Sequence, residues 1–362
     1  MPTYGDTWRG ACAGAPGTGP SWTRSRPTLP TDPAPLGQGP PLDQGPPLDQ
    51  GPPPGLPPSG RSEGQLSSAA VGGPTGAEDW SPLEATTFVA PSTVEDAVGS
   101  LSDDEGAVAL GGGTSVGLLV GQRLLQPTKL VWLGRIDSLR RVRVEDGRLS
   151  IGAGVTLAQV SDHPLVRSEL PALASAASVV GNPRVRAVAT LGGAIAHADP
   201  RQDVPPALLA LRATAVVVGT SGQRRIELQE FFRGFMETAL GPGDVITAIE
   251  VPLPGAQNVY LRYNAGSQSD YPTVGAAAVL THVSHGRVSA RVALAGVAPT
   301  PVLLPDVAGA GDDRHLDDVG KAALEAARPT DDRLGSAAYK RAMAEVWARR
   351  AVAACLSPPA GG

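Results

Sequence analysis

The 362-residue chain balances 30 Lys and Arg against 35 Asp and Glu, for a formal net charge of −5. That balance excludes a nucleic-acid surface, which needs clustered basic residues, and the length is enough for two or three domains with a sizeable core. The two cysteines, Cys12 and Cys355, sit near opposite ends in no metal-ligand spacing and fall short of the four thiolates an iron–sulfur cluster takes.

No run is long and apolar enough for a transmembrane helix, and neither a signal-peptide core nor a twin-arginine pair is present, so the expectation is a cytoplasmic protein. Residues 1–80 read as a disordered Pro/Gly-rich tail: Gln38-Gly39-Pro40-Pro41-Leu42-Asp43 returns as near copies at Gln44 and Gln50. Such repeats bury too little apolar surface to offset the entropy of ordering.

Order is expected from Thr86-Thr87-Phe88-Val89-Ala90, a short β-rich run. Ser92 with Glu95 has capping-box spacing, ahead of a helix whose apolar face is Val94, Ala97 and Val98. Ala107-Val108-Ala109-Leu110 predicts a buried strand that runs into Gly111-Gly112-Gly113-Thr114-Ser115 and the apolar helix Val116 to Val120. Amides on a glycine loop at a helix N-terminus attract phosphate. The GxGxxG fingerprint fails because its third glycine would fall at Val116, and Walker A fails because Leu118 stands where Lys is needed.

Lys129 to Leu133 predicts a strand, and Arg140 to Glu145 with Arg148 to Ala153 a hairpin turning at Asp146-Gly147 as type I′. Thr156 caps the next helix, and Leu170 to Ser178 is another, ending near Gly181-Asn182-Pro183. The following segment, Thr190-Leu191-Gly192-Gly193-Ala194 through His197, Asp199 and Asp203, reads as a glycine loop. There a positive φ is cheap, and amides, one hydroxyl and two carboxylates line a thin wall. From this segment alone, a tight turn backed by small residues and a wall for a flat polar cofactor are both open.

Helix resumes at Leu208 to Leu211, strands at Ala213 to Gly219, Gln223 to Ile226 and Asp244 to Val251, with a short amphipathic turn at Glu230-Phe231-Phe232. After Pro254-Gly255 come strands at Val259 to Tyr263, Thr273 to His282 and Arg287 to Leu294, then helices at Asp317 to Ala327 and Ser336 to Ala354. In the last helix Tyr339, Met343, Val346, Trp347 and Ala354 share one face, leaving Lys340, Arg341, Arg349 and Arg350 to solvent.

With both glycine segments placed, the chain from Phe88 to Ala354 resembles the flavoprotein (medium) subunit of the molybdenum hydroxylases, the group of carbon monoxide dehydrogenases and xanthine dehydrogenase-like enzymes. The resemblance is co-linear through Leu110 to Ser115, Leu130 to Ile136, Gly181 to Arg186, Thr190 to Asp203, Glu230 to Gly234, Ile249 to Pro252 and Arg291 to Val297. It implies an α+β fold: a two-subdomain FAD-binding domain of the p-cresol methylhydroxylase type over residues 81–254, then a small α+β domain over residues 255–357.

The cofactor implied is FAD. The resemblance assigns its pyrophosphate to the first loop (Ala109, Leu110, Gly111, Gly112, Gly113, Thr114, Ser115, Val116) and its ribityl–phosphate region to Thr190, Leu191, Gly192, Gly193 and Ala194. Asp199 is counted among the cofactor-binding residues and Asp203 accepts from the polar tail, Arg262 lies near the ring and favours the anionic reduced flavin, and Asp270 and Tyr271 border it. Relatives usually carry Asn where Ala187 stands, and many carry Asn or Ser at Ala194. Each loss removes a side-chain partner worth ~1 kcal/mol net, which points to a looser hold on FAD.

The implied function is an electron-transfer oxidoreductase subunit without a metal of its own. Its partners would be an iron–sulfur small subunit and a molybdopterin large subunit, and its acceptor quinone, NAD or oxygen. A free-standing flavin oxidase and a non-catalytic assembly protein are the alternatives. His197 is better read as cofactor wall or satisfied histidine than as a general base.

Overall fold

The computed structural model describes residues 86–357 except 254 and 268; the expected tail at residues 1–80 lies outside them. The chain begins with a small parallel sheet in which β3 (Lys129–Trp132) lies between β1 (Thr87–Val89) and β2 (Ala107–Leu110). The helices α1 (Val94–Ser102) and α2 (Thr114–Gly121) occupy the connections, as parallel pairing requires a crossover. The cap of α1 is Thr93, one residue later than expected. Its hydroxyl accepts from Asp96 N at 3.1 Å, so Asp96 takes the place that the capping box would give Glu95.

An antiparallel sheet follows in the order β4-β5-β10-β6-β7, made of Val142–Glu145, Arg148–Gly152, Val245–Pro252, Thr214–Gly219 and Gly222–Glu227. The β4–β5 turn has φ of 49° at Asp146 and 70° at Gly147, the type I′ pattern that Asp-Gly favours. Alternate residues Leu149, Ile151, Ile249, Val251, Ala215 and Val217 bury one sheet face against a helical layer. That layer comprises α3 (Leu157–Asp162), α4 (Pro164–Glu169), α5 (Pro171–Ser178), α6 (Pro183–Val188), α7 (Leu191–His197) and α8 (Val204–Ala210). Thr156 caps α3 with a complete capping box to Gln159. A turn of helix, α9 (Leu228–Phe231), leads into the hairpin β8 (Phe232–Gly234) and β9 (Glu237–Thr238), so the expected turn at Phe232 is already strand.

The C-terminal sheet runs β11 (Gln257–Tyr263), β12 (Val274–His282), β13 (Val288–Ala295) and β14 (Val302–Leu303), with β15 (Val307–Gly309) also paired to β13. Two helices, α10 (Asp313–Ala326) and α11 (Ala337–Leu356), cover one face around a second core. The helix α10 starts four residues earlier than expected because the Asp312 carboxylate caps it, accepting from His315 N at 3.0 Å.

The expected faces of α11 are rotated. Its buried side is Lys340, Ala344, Ala348, Ala351, Val352 and Cys355, with Met343 and Trp347 at the margin and Tyr339 exposed. Small residues let the helix lie close to its neighbours. Lys340, expected in solvent, is buried because its ammonium meets Asp332 at 2.7 Å and the Thr330 carbonyl at 3.0 Å.

Candidate functional site

The first glycine segment does what its residue types demand. Gly113 takes φ +72° as the N-cap of α2, a left-handed conformation suited to glycine. The first main-chain bond there is Gly117 N donating to Gly113 O at 2.8 Å. Ahead of it the Thr114, Ser115 and Val116 N–H groups meet no acceptor among the described residues. Three free amides at the positive end of a helix are an anion site in waiting.

Gly112 serves a different purpose. The space its side chain would fill is taken by the Val188 carbonyl, with Ala189 N at 2.9 Å. The first glycine segment therefore seats directly on the backbone that leads into the second.

That second segment is not a loop. Thr190 is the N-cap of α7, and the glycine pair forms its first turn. Neither Gly192 nor Gly193 has a positive φ, so left-handed freedom is not what glycine supplies here. Its donors are spent internally: Leu191 N on Val155 O, Gly192 N on Ala153 O, Gly193 N on the Thr190 hydroxyl and Ala194 N on Thr190 O, at 2.9, 3.0, 3.2 and 2.9 Å. The segment supplies a close wall rather than amides. The capping potential of Thr190 three residues before Gly193 was the signal available for this.

Between the two segments lies a cavity of about 590 Å³, within the range of small-molecule and cofactor clefts. Of the expected site residues, Ala109, Gly111, Gly113, Thr114, Ser115, Val116, Gly193, Ala194, Asp199 and Asp203 line it, as do His197, Asp270 and Tyr271. Leu110, Gly112, Thr190, Leu191, Gly192 and Arg262 do not line it. The structure adds Leu118, Leu124, Val180, Gly181, Arg201, Phe235 and Met236. Phe235 and Met236 are the two-residue turn between β8 and β9. With Leu118 and Leu124, Phe235 makes an exposed apolar rim at one end of the cavity.

The other end is polar and self-paired. The Asp199 carboxylate accepts from Arg201 N at 2.9 Å, Nε at 3.2 Å and Nη2 at 3.1 Å. Arg201 in turn lies over the Tyr271 ring, 4.9 Å from its centroid. Burial pushes the Tyr271 hydroxyl up to about 12, helped by the Asp199 charge. Burial also lowers His197 to about 4, against the pull of Asp199 in the other direction. His197 is therefore a neutral imidazole at pH 7, on the cavity wall.

Asp203, expected to accept from a ligand, already accepts from Tyr260 Oη at 2.7 Å and from Arg262 Nη1 at 3.3 Å. Arg262 does not itself line the cavity, but its guanidinium is held by Asp203 and Asp270, which do. Burial raises Asp203 to about 6, opposed by the Arg262 charge and the Tyr260 hydrogen bond.

Two family models match consecutive parts of the chain. Residues 84–254 match the FAD binding domain in molybdopterin dehydrogenase, and residues 260–355 the CO dehydrogenase flavoprotein C-terminal domain. Among curated proteins, the carbon monoxide dehydrogenase medium chain of Afipia carboxidovorans is 32% identical over 272 residues, 72% of this chain and 93% of the relative. The nicotine 6-hydroxylase medium subunit of Paenarthrobacter nicotinovorans is 30% identical over 275 residues, 75% of this chain and 97% of the relative. Among solved structures, the carbon monoxide dehydrogenase of Hydrogenophaga pseudoflava aligns with TM-score 0.71 at 33% identity over 75% of this chain and 97% of the other. Quinoline 2-oxidoreductase from Pseudomonas putida aligns with TM-score 0.71 at 28% identity, over 75% and 96%.

Proposed function

The chain belongs to the family of FAD-binding medium subunits of molybdenum hydroxylase-type dehydrogenases, and we propose that it takes electrons from iron–sulfur centres of a partner subunit and hands them to an external acceptor. The observation that supports this most is the seating of Gly112 on the Val188 carbonyl. It brings three free α2 amides and the α7 wall to one cavity.

The donor set suits FAD. The Thr114, Ser115 and Val116 N–H groups would hold the pyrophosphate, whose negative charge matches the end of the helix dipole. The Phe235, Leu118 and Leu124 rim would shed water against one of its rings, and Gly193 and Ala194 would let the cofactor approach the α7 backbone closely. FAD, when bound, accepts a pair of electrons and exchanges them singly or together.

The chain's own residues position and screen. Asp199 and Arg201 neutralise one another at the polar end, Arg201 steadies the Tyr271 ring, and the neutral His197 adds no charge beside the site. None of them is asked to act as a general base. With only two cysteines in the sequence, cluster-bound iron belongs on a partner. The medium-chain names of the relatives fit a three-subunit assembly. A free-standing oxidase would need a substrate cap, whereas the C-terminal part is matched by a CO dehydrogenase flavoprotein domain.

The test is titration of the deflavinated full chain with FAD, followed by mixing with the co-expressed partners and their reducing substrate. The reading requires a yellow complex with one FAD per chain that bleaches only when the partners are present. A chain that stays colourless both alone and in the assembly, or a flavin that small substrates reduce without partners, would overturn it.

A further inference from the structure

Asn258, Tyr260 and Arg262 alternate along β11 and so share one face, the face turned toward α5. All three are polar, and all three are engaged across the junction. Asn258 Oδ1 accepts from Ala172 N at 2.9 Å, and its Nδ2 donates to the Glu169 carbonyl at 3.1 Å. Tyr260 Oη donates to Asp203 at 2.7 Å.

The Arg262 guanidinium reaches three separate segments. Its Nη1 donates to the Val179 carbonyl at 2.8 Å and to both Asp203 oxygens at 3.3 Å. Its Nη2 donates to the Asp270 carbonyl at 2.8 Å. Each partner is, or adjoins, a piece of cavity wall: Val180 follows Val179, Asp203 lines the cavity itself, and Asp270 leads into Tyr271. A buried ion pair is weak evidence for stability, because desolvation offsets the attraction. What the planar fork of an arginine adds is direction, fixing several acceptors relative to one another.

We infer that Arg262 is a positioning residue: clamped by Asp203 and Tyr260, it ties the docking of the C-terminal sheet to the shape of the polar wall of the FAD cavity. The inference rests on the FAD reading above and goes beyond it. It makes the end of α5, the start of α8 and the Asp270–Tyr271 turn a single unit, though they are far apart in sequence. It also makes cofactor binding and docking of the two lobes mutually reinforcing, since a ligand stabilises whichever arrangement it binds.

The test uses the deflavinated full chain and four variants: Arg262→Met, Arg262→Lys, Tyr260→Phe and the charge-balanced pair Asp203→Asn/Arg262→Met. Three quantities are read: the FAD dissociation constant of the folded protein, the visible circular dichroism of the bound flavin, and the melting temperature without FAD. Arg262→Met is expected to weaken FAD binding at least tenfold and to change the flavin dichroism. Arg262→Lys keeps the charge but cannot serve three segments, and is expected to do the same.

Tyr260→Phe removes one hydrogen bond from a side chain of the same shape, so it should weaken binding by a smaller factor with little change in melting. The charge-balanced pair should melt closer to wild type than Arg262→Met and still bind FAD at least tenfold more weakly. If Arg262→Met does not fold, Tyr260→Phe and the charge-balanced pair decide. Wild-type affinity and dichroism in the charge-balanced pair or in Arg262→Lys, with only the melting temperature lowered, would show a merely structural role and overturn the inference. Failure of the wild-type chain to bind FAD would remove the reading beneath it, an outcome distinct from variants that bind normally.

Discussion

Replacing Gly112 by Ala tests the meeting of the two glycine segments with a single methyl group. The added carbon would overlap the Val188 carbonyl and lie 2.9 Å from Ala189 N. These are backbone atoms and cannot rotate aside, so the first segment and the entry to α7 must part by roughly an ångström or more to reach van der Waals separation. Overpacking of this kind costs about 2–3 kcal/mol. In a folded region of this size that lowers the melting temperature by roughly 5–10 °C.

The same displacement moves the Thr114, Ser115 and Val116 amides relative to the α7 wall, so FAD affinity should fall at least tenfold. The internal control is Gly117, on the same helix, where an added methyl meets nothing within 4 Å. Gly117→Ala should be neutral, or stabilising by about 0.5–1 kcal/mol through the unfolded chain, with FAD binding unchanged. Melting curves and flavin titrations on both variants form the assay. A Gly112→Ala protein as stable as Gly117→Ala, with wild-type FAD affinity, would refute the reasoning.

Three further outcomes follow from the same geometry. Thr190→Val should cost about 1 kcal/mol by removing the α7 cap, seen as a lower urea midpoint; a midpoint unchanged from wild type would deny the capping role. Lys340→Met should destabilise by about 1–3 kcal/mol, because Asp332 loses the ammonium at 2.7 Å and the Thr330 carbonyl loses its donor. Stability equal to wild type would place Lys340 in solvent after all. Asp203 and His197 should give opposite pH slopes. Burial raises Asp203 to about 6, so the native state holds its proton longer than the unfolded chain, and the contribution present at low pH is lost as pH rises from about 4 to 6. His197, lowered to about 4, contributes above its unfolded value of 6.5, and that stability is lost as pH falls toward 4. Each effect is on the order of 3 kcal/mol. Urea midpoints measured at successive pH values should therefore show Asp203→Asn gaining on wild type as pH rises through this window, and His197→Gln falling behind it. Differences that stay flat would contradict both assignments.

Much of the architecture was legible in the sequence because local rules and tertiary packing agreed. Asp146-Gly147 admits the two positive φ values of a type I′ turn, and the alternation in Leu149, Ile151, Ile249 and Val251 marks one buried face. The strand, glycine turn and helix from Ala107 to Gly121 were read for the same reason.

The readings that failed concern partners distant in sequence. Lys340 looks solvated until Asp332 and Thr330 are brought to it. Arg262 gives no local hint that Val179, Asp203 and Asp270 are its partners. Thr190 to Ala194 looks like loop because two adjacent glycines outweigh the capping threonine, whereas Ala153 and Val155 supply the acceptors that hold the helix start. The rim at Phe235 is not legible in sequence because a two-residue turn is polar in most chains, and nothing in the sequence shows which cavity it borders.

The most direct measurement is a crystal structure of the FAD complex. The account predicts one FAD per chain in the cavity between α2 and α7. Its pyrophosphate oxygens should lie within hydrogen-bond distance of the Thr114, Ser115 and Val116 amides, with the Leu191 to Ala194 amides still bonded as described above. A cofactor lodged elsewhere on the chain, or a pyrophosphate held by α7 with the α2 amides facing solvent, would contradict it.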